Sequence, residues 1–169
     1  QHAASVIACR NMQTAEHLQN IFASPTFRTY ASSDIVGVEG CAAAKNFIAI
    51  AIGMSYGLGL GDNTAATLMT RGLAEMSRLV DALGGEAITC MGLAGMGDLI
   101  ATCMSQHSRN RRFGELLASG GTLEQFQNDT HMVVEGALAA QTIRPLAERV
   151  GVDMPIATVV NQVVWQGME

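Results

Sequence analysis

Asp34-Ile-Val-Gly-Val-Glu-Gly-Cys-Ala-Ala-Ala-Lys45-Asn46-Phe-Ile-Ala-Ile-Ala-Ile-Gly-Met-Ser-Tyr-Gly57 is the stretch on which the fold turns. Asp34 is placed to cap a helix N-terminus, and the alanine- and isoleucine-rich run behind it is helical in spacing and apolar on almost every side. A helix apolar all round belongs either in a protein core or in a membrane. Lys45 and Asn46 interrupt the run, and Gly53, Gly57 and Gly59 break it, so a buried core helix is the better reading and no membrane insertion is expected. The surrounding chain must then supply the helices that cover it.

It does so on the C-terminal side. Residues 64–83 place Leu68, Leu73, Met76, Val80 and Leu83 on one face, with Arg71 and Glu75 spaced as an i,i+4 pair and Gly84-Gly85 as a stop. Further helices are predicted at 98–104, 110–118, 123–128, 134–150 and 156–166, with Thr122 and Gln125 as a capping box. Pro145 is expected to kink or divide the helix over 134–150. Gly57-Leu-Gly-Leu-Gly61-Asp62 has the wrong spacing for a dinucleotide loop and reads as a flexible turn.

The N-terminal side differs. Residues 3–9 and 27–30 are strand-like and 14–22 helical, a β-α-β piece for which the rest of the chain offers no further strands. The expected fold is therefore mainly α with a short N-terminal β-α-β remnant of a nucleotide-binding α/β domain. The boundary falls at residues 32–34, giving segments 1–33 and 34–169. A chain that opens almost at once on a strand, without an initiator methionine, reads as a piece of a larger protein.

With 169 residues, 49% of them apolar, the chain can bury a substantial core, which excludes disorder. Its formal charge of −5 excludes a general affinity for nucleic acid, so any anion must be held by a local cluster. Cys9, Cys41, Cys90 and Cys103 form no CxxC pair and have no histidines at ligand spacing, which argues for reduced cytosolic thiols and no metal site.

Three places could carry chemistry. Lys45 is the one lysine beside nine arginines, and it sits in the least polar helix. Removal from water disfavours an ammonium and makes a lysine a general base near neutral pH. The alternative is a lysine that lays its stem on apolar surface and reaches back to water. Gly92-Leu-Ala-Gly95-Met-Gly97-Asp98-Leu-Ile-Ala-Thr102 is glycine-rich just before a helix; Asp98 and Thr102 share a face suited to a polyol, or else are an N-cap and a surface hydroxyl. Ser108-Arg109-Asn110-Arg111-Arg112 gathers forked donors at a helix start, fit for a phosphate or simply a solvated basic turn. Glu135 could cap a helix or take a ligand hydroxyl.

Taken together, Gly37-Val-Glu-Gly-Cys-Ala-Ala-Ala-Lys45-Asn46, Thr70-Arg71-Gly-Leu-Ala-Glu-Met76, Gly95-Met-Gly97-Asp98-Leu99, Ser108-Arg109-Asn110-Arg111 and Val133-Val134-Glu135-Gly136 resemble, in order, the landmarks of the bacterial NAD(P)-dependent glycerol-3-phosphate dehydrogenase family. The likeness runs over essentially the whole chain, with Gly40-Cys41 standing where a glycine pair is usual. It implies a helical domain of the 6-phosphogluconate-dehydrogenase C-terminal type, following a Rossmann domain that holds the main NAD or NADP pocket. It implies Lys45 as the catalytic proton carrier between sn-glycerol 3-phosphate and dihydroxyacetone phosphate. Substrate contacts would come from Lys45, Asn46, Asp98, Thr102, Ser108, Arg109 and Asn110, and cofactor contacts from Arg109, Val133 and Glu135. It further implies a cytoplasmic homodimer serving glycerophospholipid synthesis, and little activity without the nucleotide domain. Two rivals remain: a hydroxyacid dehydrogenase of similar build, which the Ser-Arg-Asn-Arg cluster disfavours, and a non-catalytic helical anion- or helix-binding module, which would have no use for an embedded amine.

Overall fold

The computed structural model describes residues 2–168. Strands β1 (Ala3–Ala8) and β2 (Phe27–Ser32) pair in parallel, from Ala3 opposite Phe27 to Ala8 opposite Ser32, and helix α1 (Met12–Phe22) connects them. Asn11 caps α1 through the Thr14 amide, and reciprocal bonds between Gln19 and Thr29 tie the helix to β2. Among the described residues these two strands make the whole sheet, and Ala15 is the only apolar side chain of the segment that is fully covered.

Helix α2 (Ile35–Gly57) is the axis of everything else. By length and composition alone it could cross a membrane. Instead it is wrapped by α3 (Gly61–Ala82), α4 (Asp98–Met104), α5 (Arg109–Ala118), α7 (Glu135–Val150) and α8 (Pro155–Gln166), while α6 (Leu123–Thr130) packs on α5. Phe47, Ile48, Ile50 and Ile52 are completely buried, which is why α2 tolerates apolar residues around its full circumference. The closest crossing is with α5: a Cβ on Gly53 would lie 2.1 Å from the Arg111 carbonyl oxygen, and one on Gly114 2.1 Å from that of Ile50. Only glycine at both positions allows the two backbones to meet.

Asp34 caps α2 by accepting from the Gly37 amide at 2.8 Å, as its position in the sequence predicts. It also accepts from the Glu86 amide at 3.0 Å and the Thr89 hydroxyl at 2.6 Å, so the same carboxylate holds the segment after α3 against the start of α2. Burial pushes its pKa up, but these three hydrogen bonds, that from Thr89 foremost, outweigh it and leave the carboxyl below its ordinary value.

The predicted helices are present, with ends shifted by a few residues. Leu73, Met76 and Val80 of α3 are buried, and Leu68 and Leu83 pack at the edge of the core. Two short elements had no periodic signal, a 3₁₀ turn over Ala87–Met91 and a π-type turn over Leu93–Gly97 that runs directly into α4. Two expectations fail. Pro145 does not divide α7, which continues from Glu135 to Val150 with the proline on its exposed side. Glu75 does not pair with Arg71. It is 2% exposed and turned inward, where Oε1 accepts from the Ile156 amide at 2.9 Å at the start of α8. Its other oxygen has no partner, and burial raises its pKa against the lowering effect of the Ile156 and Ala157 amides.

Candidate active site

Four helices deliver polar side chains to one open cleft of about 540 Å³. Lys45 and Asn46 come from the middle of α2, Thr102 from α4, Ser108, Arg109 and Asn110 from the start of α5, and Glu135 from the start of α7. Of the residues picked out from sequence, Asp98 and Val133 do not line this cleft; Val133 lies exposed in the segment leading to α7, and Asp98 reaches the cleft only through Lys45.

Lys45 is not a solitary buried amine. Its Nζ forms an ion pair with Asp98, with the lysine side chain 18% exposed and the aspartate 43%. The carboxylate compensates the ammonium for much of the water it has lost, so the expected cost of embedding a lysine in α2 is offset by a partner 53 residues away. Asp98 is not an N-cap either. The π-type turn feeds α4 without a break, leaving Asp98 as its first residue, and its Oδ1 lies 3.5 Å from the Thr102 hydroxyl one turn on. Asp98 itself lines a second, smaller cleft of about 310 Å³ between β1, α2 and the turn before α4, while its partner Lys45 lines the larger one.

The arginine cluster separates. Arg109 faces the cleft and pairs with Glu135 across the starts of α5 and α7, both about half exposed. Arg111 turns away and is structural: its Nη1 donates to the carbonyls of Cys103 and Met104 at the end of α4, its Nε pairs with Glu115 at 2.9 Å, and its guanidinium lies 4.4 Å from the centre of the Tyr56 ring. Arg112 is exposed and lines no part of the cleft. The expected three-arginine anion site is thus one arginine at the cleft, because helical geometry sends consecutive residues to different faces.

Asn110 is 5% exposed and knits the site together. Its Nδ2 donates to Asn46 Oδ1 at 3.0 Å, and its Oδ1 accepts from the Gly136 amide at 2.9 Å, joining α5 to α2 and α7 at once. Ser108 caps α5 by accepting from the Arg111 amide. Ser105 and His107 also line the cleft and were missed in the sequence. Their signal was their place in the short connection before Ser108, which has no periodicity to show which way it faces.

A lysine–carboxylate pair, an arginine–glutamate pair, hydroxyls and amides around an open cleft are groups of the kind that suit a small polar ligand. The family model described as NAD-dependent glycerol-3-phosphate dehydrogenase C-terminus matches residues 34–169. The chain is 52% identical over 162 residues to a glycerol-3-phosphate dehydrogenase [NAD(P)+] of Moorella thermoacetica, covering 96% of this chain and 48% of that one. It is 50% identical to that of Corynebacterium jeikeium, covering 100% and 51%. It superposes on the crystal structure of glycerol-3-phosphate dehydrogenase from Coxiella burnetii with a TM-score of 0.95 and 39% identity, over 99% of this chain and 51% of that one. The chain belongs to the NAD-dependent glycerol-3-phosphate dehydrogenase family and corresponds to its C-terminal domain. It spans about half the length of the curated relatives it matches.

Proposed function

We propose that this chain forms the substrate side of a glycerol-3-phosphate dehydrogenase that interconverts sn-glycerol 3-phosphate and dihydroxyacetone phosphate with NAD(P)(H). The observation that carries the reading is the convergence of Lys45, Thr102, Ser108 and Arg109 on one cleft from three helices, with Asp98 ion-paired to Lys45, in a chain of this family. Residues 34–169 are the substrate domain and residues 1–33 the end of a nucleotide-binding domain, a division supported by the match that starts at residue 34.

Arg109 and the capped start of α5 supply the positive end of the cleft and bind the phosphate, where a guanidinium fork is stronger than a neutral donor. Asp98 and Thr102 orient the polyol. In the oxidative direction Lys45 Nζ, in its neutral amine form, takes the proton of the C2 hydroxyl as hydride leaves the same carbon and becomes the ammonium paired with Asp98; in reduction that ammonium returns a proton to the carbonyl oxygen. Asp98 keeps Nζ at the cleft surface throughout. Asn46 and Asn110 hold α2, α5 and α7 in register, which fixes the distance between the phosphate and the proton carrier.

The Arg109–Glu135 pair, half exposed at the rim, offers one donor fork and one acceptor to the edge of a nucleotide, with Val133 alongside. Between β1 and α1 the described residues Cys9-Arg10-Asn11 carry no glycine-rich phosphate turn, so this chain fits the rim of a cofactor site and not its main pocket. When bound, the nicotinamide ring supplies the hydride acceptor or donor. The protein is a cytoplasmic homodimer that furnishes the glycerophosphate backbone of phospholipids, and this chain alone turns over slowly or not at all.

The test is a chimera in which this chain replaces the matching half of the Moorella relative. NAD(P)H oxidation dependent on dihydroxyacetone phosphate, with unphosphorylated dihydroxyacetone at least about 100-fold poorer in kcat/KM, is the expected result. A folded chimera indifferent to the phosphate would overturn the reading.

A further inference from the structure

Two thiols that the proposed reaction does not use lie against each other in the core. Cys41, on α2 one turn before Lys45, donates to the sulfur of Cys90 in the 3₁₀ turn Ala87–Met91, with 3.3 Å between the two Sγ atoms. Both are free and fully buried, and Cys41, four residues before Lys45, is 49 residues from Cys90 in sequence. We propose that Cys41 and Cys90 are a site of oxidative modification, a dithiol that a hydroperoxide converts to a disulfide linking α2 to the segment before Asp98.

Closing the bond requires the sulfurs to approach from 3.3 Å to about 2.05 Å. The chemistry balances. Cys90 thiolate attacks the peroxide, giving a sulfenic acid and releasing water or alcohol; Cys41 then displaces the sulfenic oxygen as water. Two electrons pass from the two sulfurs to the peroxide, and the two thiol protons end in the products. The hydrogen bond received from Cys41 lowers the pKa of Cys90, so Cys90 is the attacking sulfur, whereas Cys41 is held protonated by that same bond and by burial. Cys103, also buried, is pushed up to about 12 by desolvation and is a poor competitor.

Access comes from the turn itself. Ala87–Met91 follows Gly84, which has a φ of 84°, and is held to α2 by Asp34 through the Glu86 amide and the Thr89 hydroxyl. Ile88 and Met91 on its outer side are already exposed, at 70% and 45%, so swinging the turn outward breaks the two bonds to Asp34 and uncovers Cys90 together with Cys41. A molecule the size of hydrogen peroxide needs only a brief opening.

The experiment uses the folded protein, treated with hydrogen peroxide, alkylated without reduction and digested with trypsin. Cys9 falls in residues 1–10, Cys41 in 29–45, and Cys90 with Cys103 in 79–109. Expected is a linked pair of peptides 29–45 and 79–109, lighter by about 2 Da than their sum, with Cys103 alkylated. The link should form many-fold faster in the folded protein than in urea. The oxidised protein should melt several degrees higher, about 3 to 5 °C, and return on reduction. Recovery of Cys41 and Cys90 both alkylated while Cys9 is oxidised, or a link that forms no faster in the folded state, overturns the proposal. Cys90→Ser should abolish both the link and the shift in melting; if that variant does not fold, the peptide map of the unsubstituted protein decides alone.

Discussion

Two places in this molecule set a carboxylate against the helical core, and they hold it in opposite ways. At the α3–α8 junction Glu75 is shut away from water and answered by backbone amides at a helix start, leaving one oxygen unpaired. At the cleft Asp98 is nearly half exposed and answered by the ammonium of Lys45. The first arrangement can only hold helices together. The second keeps a movable proton next to open space, where a ligand can reach it. Charge in a core is therefore no mark of function by itself; what separates the two is the partner and the route to solvent.

If that contrast is right, substitutions in the two places affect different properties. The largest effect is expected from Lys45→Met in the chimeric enzyme, a fall in kcat of about 10³-fold measured by steady-state NAD(P)H oxidation. Its melting temperature should change little, since a partly exposed ion pair contributes about 1 kcal/mol or less. Glu75→Ala should do the reverse: a loss of about 3 kcal/mol in urea denaturation, from the cavity and the orphaned α8 amides, with KM untouched. Loss of activity without loss of stability in Glu75→Ala would break the contrast.

Arg109→Met is expected to raise KM for the phosphorylated substrate about 30-fold, near 2 kcal/mol, with a much smaller change in kcat. A change confined to kcat would place the arginine elsewhere in the reaction. The smallest effect concerns pH. A carboxyl whose folded pKa is raised is bound to its proton more tightly in the fold, so stability falls as pH climbs from the ordinary glutamate value of about 4.3 through the folded value. Glu75→Gln keeps the acceptor for Ile156 and removes the titration, so thermal melts across that range should show a flatter slope than the unsubstituted protein.

Much of this was legible in the sequence, and the limit falls where partners are distant. Asp34 announced its cap, the glycines after α3 its end, and the α3 stripe its buried face, because each is a relation between residues a few positions apart. Glu75 was assigned to Arg71 by the same local logic and in fact answers α8, 81 residues away. Arg111 looked like part of an anion site because its use at the end of α4 depends on how α4 and α5 meet. The pairing of Lys45 with Asp98 had no local signal at all; only the ordered likeness to a family put both residues in one site. The 3₁₀ and π-type turns leave no signal because an element of five residues is too short to show a period.

The central claim is that Lys45 Nζ meets the hydroxyl of a phosphorylated polyol in this cleft. Because the chain has a single lysine, ¹³C labelling of lysine at Cε gives one NMR signal that reports that residue alone. Titration with glycerol 3-phosphate should shift this signal saturably, together with the amides of Ser108, Arg109 and Asn110, while glycerol at equal concentration should not. A lysine signal that stays fixed while those amides move to saturation would mean that the phosphate binds without bringing a hydroxyl to Lys45, and would contradict its role as the proton carrier.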